Sequence, residues 1–445
     1  MPSRRSPLTV TRRELLAGAA LLVAALNLAG CAATRPPAPQ PPSTADSAFL
    51  LPAATGNPLT VDPQREARLD AAQQALVARG DVATAESTAK ALLAEDPGLH
   101  AAQVLLAQAR FVVGDLEGAA AILRPVAAEL PGYVACQALL GAVEERRGNL
   151  PEAFEAYRAA AEVPAAAQRA SELLAPATAA LGKQVVDAAA KSRTEVAAAG
   201  LERLRTWAPD AEPTLEAERA VARARGDRQA ELVALRRLGE RRPTDLALRA
   251  DLARLEAEAG DPAVAIRILD DLLKRDPGNA ALHGELDDAR FRWRLQLLPA
   301  SVREATSRPQ VTRADLALLL FWLVPDVRYG HPTSAHIATD VLDHPAREEI
   351  VRVVNLGLLD VDDTVHRFAP ERGATRGDAL TALTRILVRH QARCAAVGSG
   401  APDPCGSAAG CGILASSAEC LPATPLSGAD AVRFIRRTLE ATGER

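Results

Sequence analysis

The chain has 445 residues, of which 48% are hydrophobic and 24% charged, and its formal net charge is −4. This length and composition fit two or three folded domains of about 100–200 residues each and argue against a bundle of membrane-spanning helices. The small excess of acidic over basic residues argues against nucleic acid as a partner.

The first thirty residues have the pattern of an export signal. Four arginines up to position 13 precede an apolar run over 15–29, which is too short to cross a bilayer comfortably but suits a signal peptide. The run ends in Leu28-Ala29-Gly30-Cys31, which resembles the bacterial lipobox. The resemblance implies cleavage before Cys31, a diacylglyceryl group on its thiol and acylation of the new amino group.

The predicted processing also bears on location and charge. Residues 1–30 carry four Arg and one Glu, a net charge of +3, so the processed chain would carry −7. By the sorting rule for such lipoproteins, Ala32 favours the outer membrane, with the periplasmic face and the cell surface both open. Residues 11–16 also resemble a twin-arginine signal, so Sec and twin-arginine export both stay open.

Residues 31–65 are predicted to be a Pro-rich tether. Eight prolines lie between Thr34 and Pro63, and few apolar residues accompany them. Such a segment is typical of a solvated spacer that is partly polyproline II.

Beyond the tether the sequence repeats with a period of 34 residues. The period is marked by Gly80, Gly114, Gly148 and Gly182, then by Gly226 and Gly260, and by prolines at 97, 131, 164, 209, 243 and 277. Glycine followed by Asp or Asn suits a tight turn between two helices, and proline ends the second helix. We therefore predict six helix pairs over 66–279 and a closing helix over 280–297.

The repeat resembles the tetratricopeptide repeat, because small residues occupy the positions where its paired helices meet. They are Ala107, Gly141 and Ala253 in first helices and Ala85, Ala119, Ala153 and Ala265 in second helices. The resemblance implies an all-α, right-handed solenoid over 66–297, with a concave groove that binds a peptide or helix of a partner protein. An unrelated helical solenoid is the alternative. The fourth unit is about ten residues longer than its neighbours, and its sequence does not fix how it aligns with the repeat.

Residues projecting from first helices are the candidates for partner binding. They are Gln74, Gln108, Phe111, Glu145, Arg146, Arg223 and Arg254. Each of them taken singly is equally typical of a solvated helix face.

Residues 298–445 contain one helix-start pattern three times: Thr312 to Asp315, Thr375 to Asp378 and Ser427 to Asp430. Each is predicted to be a capping box, in which the hydroxyl and the carboxylate satisfy free amides at a helix start. The middle copy is preceded by Leu356-Gly357-Leu358 and an acidic loop. This order resembles an S-layer homology module, and Phe291 to Leu298 would be the leading helix of the first module.

The resemblance implies a mostly helical pseudo-threefold unit that binds cell-wall polymers. Arg313 and Arg376 match the family's binding arginine, whereas the third copy has Gly428. The alternative is that the modules only pack together as a domain.

The cysteines Cys394, Cys405, Cys411 and Cys420 lie in a stretch rich in small residues. Outside the cytoplasm they are expected to form two disulfides, with three possible pairings. A zinc site is the alternative, although no C-x-x-C spacing supports it. Cys136, within a repeat helix, is expected to be a buried hydrophobic residue.

No enzyme is predicted. Three groups of residues are candidate sites, and none completes a metal-binding or catalytic motif. They are the histidines His331, His336, His344 and His366, the pair His344 and Glu348, and the acidic run Asp360, Asp362 and Asp363. No cofactor is expected beyond the lipid on Cys31.

The sequence thus predicts a membrane-anchored envelope scaffold that binds a protein partner in the solenoid groove, with the cell wall as a further contact. The alternative is a wall-polymer-binding protein in which the solenoid is a spacer. A third interpretation is an accessory subunit of an enzyme.

Overall fold

The computed structural model describes residues 43–332, 335–336, 338–362, 364–394 and 403–443. Within these ranges the structure is all-α, as predicted, and strand-like pairing is limited to isolated bridges. The chain divides into two compact units. The N-terminal unit runs up to Asp187 and includes Ala199–Thr214, and the C-terminal unit comprises Ala188–Ala198 and the chain from Leu215 onward.

The repeat region has the six helix pairs and the closing helix that the period predicts. After a short helix α1 (Thr44–Ser47), the pairs are α2 (Pro63–Arg79) and α3 (Val82–Glu95), α4 (His100–Val112) and α5 (Leu116–Glu129), α6 (Val134–Arg146) and α7 (Leu150–Ala159), α8 (Pro164–Ala190) and α9 (Thr194–Trp207), α10 (Glu212–Arg225) and α11 (Arg228–Arg241), α12 (Leu246–Ala259) and α13 (Pro262–Arg275), followed by α14 (Ala280–Gln296).

Local chemistry explains the turns and the close helix pairs. Gly114 has a left-handed backbone with φ of +83°, which glycine adopts without steric cost. The next residue, Asp115, caps α5 by accepting from the amide of Gly118 at 2.9 Å. At Gly141 an added Cβ would lie 2.6 Å from the ring of Tyr157, so only glycine lets α6 and α7 approach this closely.

The fourth pair departs from the predicted register. Gly182 lies inside α8 rather than in a turn, because the additional residues of this unit lengthen its first helix to 27 residues. An added Cβ at Gly182 would lie 2.7 Å from Cβ of Pro213. This glycine therefore serves close packing and not chain reversal.

The C-terminal part of the chain is a cluster of shorter helices around one apolar core. They are α15 (Ala300–Ser307), α16 (Arg313–Leu323), α17 (Pro325–Tyr329), α18 (Arg347–Asn355), α19 (Arg376–Arg389), α20 (Pro404–Gly410) and α21 (Gly428–Thr442), with 3₁₀ turns at Thr339–Val341 and Ser417–Glu419. The segment Phe291 to Leu298, predicted to double as the leading helix of the first module, is helical up to Gln296. Most of that segment continues α14, and the separate helix α15 precedes α16.

Two of the three capping boxes are confirmed. Thr312 and Thr375 each accept from the amide three residues later, and the aspartate there accepts from the threonine amide. Ser427 accepts from the amide of Asp430 at 3.1 Å, whereas the carboxylate of Asp430 pairs with Arg433.

The residues just before these three caps form a closed ring of main-chain hydrogen bonds. Val311 donates to the carbonyl of Leu426, Leu426 donates to Ala374, and Ala374 donates to Val311, each at 2.9 Å. Because each segment donates to one neighbour and accepts from the other, the three helix starts are arranged cyclically.

Candidate functional site

Residues 46–57, here named the bound segment, lie against the first three helix pairs. The side chains of Phe49, Leu50 and Ala53 are buried and belong to the apolar core of the N-terminal unit. This differs from the solvated tether predicted over 31–65. The physical reason is that full burial of a Phe or Leu side chain contributes roughly 1.5–3 kcal/mol. The part of the predicted tether before residue 43 lies outside the described residues.

Polar groups of three first helices hold the bound segment by its main chain. The donor and acceptor pairs are Gln73 Nε2 to Leu50 O (2.5 Å), Gln108 Nε2 to Leu51 O (2.6 Å), Tyr133 Oη to Ala53 O, and Ala135 N to Thr55 O (3.1 Å). Main-chain carbonyls occur in every peptide, so a segment of another sequence with the same backbone course can accept the same bonds.

Charge and aromatic contacts hold the other end of the bound segment. The carboxylate of Asp46 forms an ion pair with Arg146, whose guanidinium lies 4.3 Å from the centre of the Phe111 ring. The ring of Phe49 lies 5.1 Å from the ring of Tyr157. Cation–π and aromatic pairs of this kind add to the apolar burial.

We name the surface formed by Gln73, Gln108, Tyr133, Arg146 and Tyr157 the N-terminal groove. Of the seven predicted partner-binding residues, the structure brings Gln108, Phe111, Glu145 and Arg146 together here. Gln74 is exposed, and the neighbouring Gln73 contacts the bound segment instead. One residue along a helix is a rotation of about 100°, so Gln73 and Gln74 lie on different faces of α2.

The two remaining candidates lie in the C-terminal unit. Arg223 is exposed and its Nε lies 3.9 Å from a carboxylate oxygen of Glu231. Arg254 is also exposed and pairs with Asp251 on its own helix. Both arginines are thus on solvated helix faces, which was the alternative interpretation of each.

A cavity of about 620 Å³ adjoins the Asp46 end of the bound segment, and its lining includes Glu145, Arg169 and Tyr157. The Tyr157 hydroxyl donates to Glu145 at 2.9 Å, and Arg169 forms an ion pair with the same carboxylate. Burial, together with the charge of Glu145, raises the pKa of Tyr157 far above its ordinary value. The hydroxyl therefore remains a donor at neutral pH.

The residues predicted from sequence did not include Gln73, Tyr133, Tyr157 or the bound segment. A signal was available: Phe49, Leu50 and Leu51 are three consecutive large apolar residues within the Pro-rich stretch. Such a run is unusual in a spacer and indicates a short segment that becomes buried on another surface.

The two arginines predicted to bind wall polymer differ in their surroundings. Arg313 is buried, and it donates from Nε to the carbonyl of Phe368 at 2.9 Å and from Nη2 to that of Asp360 at 2.6 Å. Burial lowers the pKa of Arg313. The guanidinium of Arg376 lies 5.2 Å from the ring centre of Phe434, and its buried Nε has no partner among the described residues.

A smaller cavity of about 230 Å³ lies beside Arg313. Its other lining residues include Asp360, Thr375, Asp378 and Thr381. Positively charged, negatively charged and hydroxyl side chains therefore converge on a space that is large enough for a small polar group.

The cysteines of the C-terminal unit are paired. The structure joins Cys394 to Cys411 and Cys405 to Cys420, which is one of the three pairings left open by the sequence. Paired sulfurs are not available as thiolate ligands, so this geometry disfavours the zinc alternative. Cys136 is buried, and burial raises the pKa of its thiol to about 12. Cys31 lies outside the described residues.

The histidines and the acidic run have local structural contacts. His344 Nε2 lies 3.2 Å from Glu371, Asp360 pairs with Arg385 at 2.8 Å, and Asp362 accepts from the amide of Thr364 at 2.9 Å. His331, His336 and His366 are exposed, and Asp363 lies outside the described residues. Across the part of the chain that the structure describes, no three acidic, His or Cys side chains are placed to hold a metal ion.

Comparison with known proteins matches one family model. Residues 76–143, which run from the end of α2 into α6, match the tetratricopeptide repeat. No curated protein sequence matches the chain. Among the described residues, no helix combines the length and apolar character needed to cross a membrane.

Several solved structures are similar to parts of the chain. TTC0263, a thermophilic tetratricopeptide repeat protein of Thermus thermophilus, is 20% identical over 51% of this chain and 98% of its own, with a TM-score of 0.18. A tetratricopeptide repeat protein of Parabacteroides merdae is 13% identical over 65% of this chain and 99% of its own (TM-score 0.20). The tetratricopeptide repeat domain of P58(IPK) is 13% identical over 86% and 100% (TM-score 0.28).

The functional class follows from the repeats and not from any single residue. Tetratricopeptide repeats generally form scaffolds for protein–protein interaction and rarely catalyse reactions. Residues 76–143 of this chain carry such repeats, and Gln108 and Tyr133 of the N-terminal groove lie within this range.

Proposed function

We propose that this protein is a lipid-anchored scaffold of the cell envelope that binds a short segment of a partner protein in the N-terminal groove. The observation that carries this proposal is that the groove already holds the bound segment, which consists of the end of α1 and the turns after it, by its main-chain carbonyls. A surface that binds one segment by its backbone can bind a segment of another sequence that follows the same backbone course.

Anchoring through Cys31 at the outer membrane is the second part of the proposal. It is supported by the basic segment, the short apolar run and the lipobox-like Leu28 to Cys31. The two disulfides support an oxidising compartment, where such bonds persist. Two or three acyl chains give stable attachment, whereas a single chain does not.

Photo-crosslinking in living cells tests partner binding. A benzophenone amino acid replaces Gln168, which lines the 620 Å³ cavity, and in a control it replaces Lys90, which is exposed on α3. We expect a protein adduct from position 168 and none from position 90. The absence of an adduct from position 168 would reject partner binding in the groove. The lipid anchor is tested by mass spectrometry, and an unmodified Cys31 within an uncleaved chain would reject it.

Binding of a wall polymer by the C-terminal modules is a second candidate function. The cyclic arrangement of Val311, Ala374 and Leu426 supports three equivalent modules, and the cavity beside Arg313 offers polar groups to a sugar. Sedimentation of the purified protein with peptidoglycan tests this function. Arg376→Ala is expected to weaken retention and the exposed-site control Arg303→Ala is not, and an unbound wild-type protein rejects the proposal.

A further inference from the structure

The N-terminal groove is not an empty surface, because residues of the same chain fill it. We propose that the bound segment is an internal ligand of the groove, and that a partner peptide with the same chemical pattern binds by replacing it. This inference rests on the proposed function and adds the kind of peptide recognised and the competition that controls its binding.

The contacts of the bound segment define the pattern that a partner must carry. Arg146 pairs with an acidic side chain at position 46, and Tyr157 packs on an aromatic ring three residues later. Ala53 is fully buried, so only a small residue fits seven positions after the acid. The partner segment therefore follows the same course of turns, is acidic at its start and is aromatic at the fourth residue.

The far end of the bound segment adds one further requirement. Gly56 has φ of +66°, and an added Cβ would lie 2.5 Å from the side chain of Val134. A residue with a side chain is excluded at this point unless the peptide leaves the groove earlier. A competing peptide thus either carries glycine here or ends before it.

The short connection to the repeats makes the internal ligand a strong competitor. Only residues 58–62 separate the bound segment from α2, which begins at Pro63. A short linker keeps a tethered ligand at an effective concentration of about the millimolar range. The apparent affinity of a partner falls in proportion to the fraction of molecules whose groove is open.

The structure also offers an entry point for the partner. The cavity of about 620 Å³ begins beside Asp46 and Phe49 and is lined further on by Arg169 and Gln168. The bound segment leaves this cavity unfilled, so a partner peptide can contact it first and then displace Asp46 and Phe49. Exchange from this end requires breaking the Asp46 and Arg146 ion pair before the carbonyl contacts.

Fluorescence anisotropy with a labelled synthetic peptide of residues 43–57 tests the proposal on the purified protein. Four proteins are compared: wild type, Phe49→Ala, Asp46→Asn and Leu59→Ala. Leu59 is the matched control, since it follows the bound segment and its side chain is half exposed. Circular dichroism establishes that each protein retains its helices.

We expect the peptide to bind Phe49→Ala at least tenfold more tightly than it binds wild type or Leu59→Ala. Asp46→Asn keeps every buried side chain, so it should give a smaller gain in the same direction even if Phe49→Ala perturbs folding. Equal affinity for wild type, Phe49→Ala and Asp46→Asn, or no binding to any of them, overturns the proposal that the bound segment is an internal ligand.

The cellular crosslink from position 168 separates this inference from the proposed function. If the bound segment competes with the partner, the adduct yield rises in Phe49→Ala relative to wild type and is unchanged in Leu59→Ala. Equal adduct yields in all three proteins overturn the proposal of an internal ligand but leave the proposed scaffold function intact. Absence of the adduct in all three rejects the scaffold function itself.

Discussion

The side-chain amide of Gln108 donates a hydrogen bond of 2.6 Å to the main-chain carbonyl of Leu51, which lies 57 residues earlier in the chain. Gln108 is fully buried. The bond links a segment that precedes the repeats to the first helix of the second pair. It explains why a glutamine occupies a helix face that otherwise contacts apolar residues.

Replacing Gln108 with Leu should loosen the bound segment. The change removes the donor to the Leu51 carbonyl, and an unsatisfied buried acceptor costs about 1–3 kcal/mol. Limited proteolysis with chymotrypsin should then cut after Phe49 several-fold faster than in wild type. Gln74→Leu is the matched control, because Gln74 is exposed on α2. Equal cleavage of both variants contradicts the role of Gln108.

Gly56→Ala should also destabilise the bound segment. The residue has φ of +66°, and its added Cβ would lie 2.5 Å from Val134, so backbone strain and a steric clash together cost roughly 1–3 kcal/mol. Hydrogen–deuterium exchange of residues 46–57 should accelerate accordingly. At Gly132 an added Cβ meets no atom within 4 Å. Gly132→Ala should therefore leave exchange unchanged, and acceleration in both variants would argue against a specific effect at Gly56.

Arg313→Ala is expected to destabilise the helices of residues 298–445. The buried guanidinium donates to the carbonyls of Phe368 and Asp360, and breaking such a network costs about 2–4 kcal/mol. Urea unfolding followed by circular dichroism should show a lower midpoint for the transition of these helices. The control Arg303→Ala, at an exposed position of α15, should have the same midpoint as wild type. A wild-type midpoint for Arg313→Ala would contradict a structural role for Arg313.

Reduction of the two disulfides should loosen the segment around α20. The paired cysteines are 17 and 15 residues apart, and closing a loop of about 15 residues contributes about 3 kcal/mol in the chain-entropy model. Peptide mapping without reductant should recover Cys394 joined to Cys411 and Cys405 joined to Cys420. A peptide in which Cys394 is joined to Cys405 or Cys420 would overturn this pairing.

Asp340 should make the stability of the helices of residues 298–445 depend on pH in the acidic range. Partial burial raises the pKa of Asp340, but the amides of Phe368 and Ala369 donate to its carboxylate at 2.9 and 2.8 Å and bring the pKa below its ordinary value. A lowered pKa means that the carboxylate contributes stability above its unfolded pKa of about 3.9. This stability is lost as the pH falls through the folded pKa.

Asp340→Asn tests this dependence. The variant should unfold at lower urea than wild type at pH 7, by about 1–3 kcal/mol for hydrogen bonds to a charged group. The difference should shrink as the pH falls below 4. Asp343→Asn, at an exposed position nearby, should show no comparable difference. A gap that stays constant with pH would show that the Asp340 charge is not responsible.

Features encoded within one turn or one helix were predictable from the sequence. Thr312 and Thr375 cap their helices as expected because a capping box involves four consecutive residues. The turn at Gly114 depends only on a backbone conformation and the following aspartate. Gly182 was misassigned because the same residue type also serves close packing, and only the position of Pro213 distinguishes the two uses.

The 34-residue period of glycines and prolines by itself determined the succession of helix pairs, since each pair forms from local turn and cap chemistry and buries its small residues against its neighbour. Tertiary structure alone decided that Phe49 and Leu50 fill the N-terminal groove, how the four cysteines pair, and how Val311, Ala374 and Leu426 close their ring. These contacts join residues far apart in the chain. Apolar side chains and main-chain amides have many equivalent partners, so sequence pattern does not specify which of them meet.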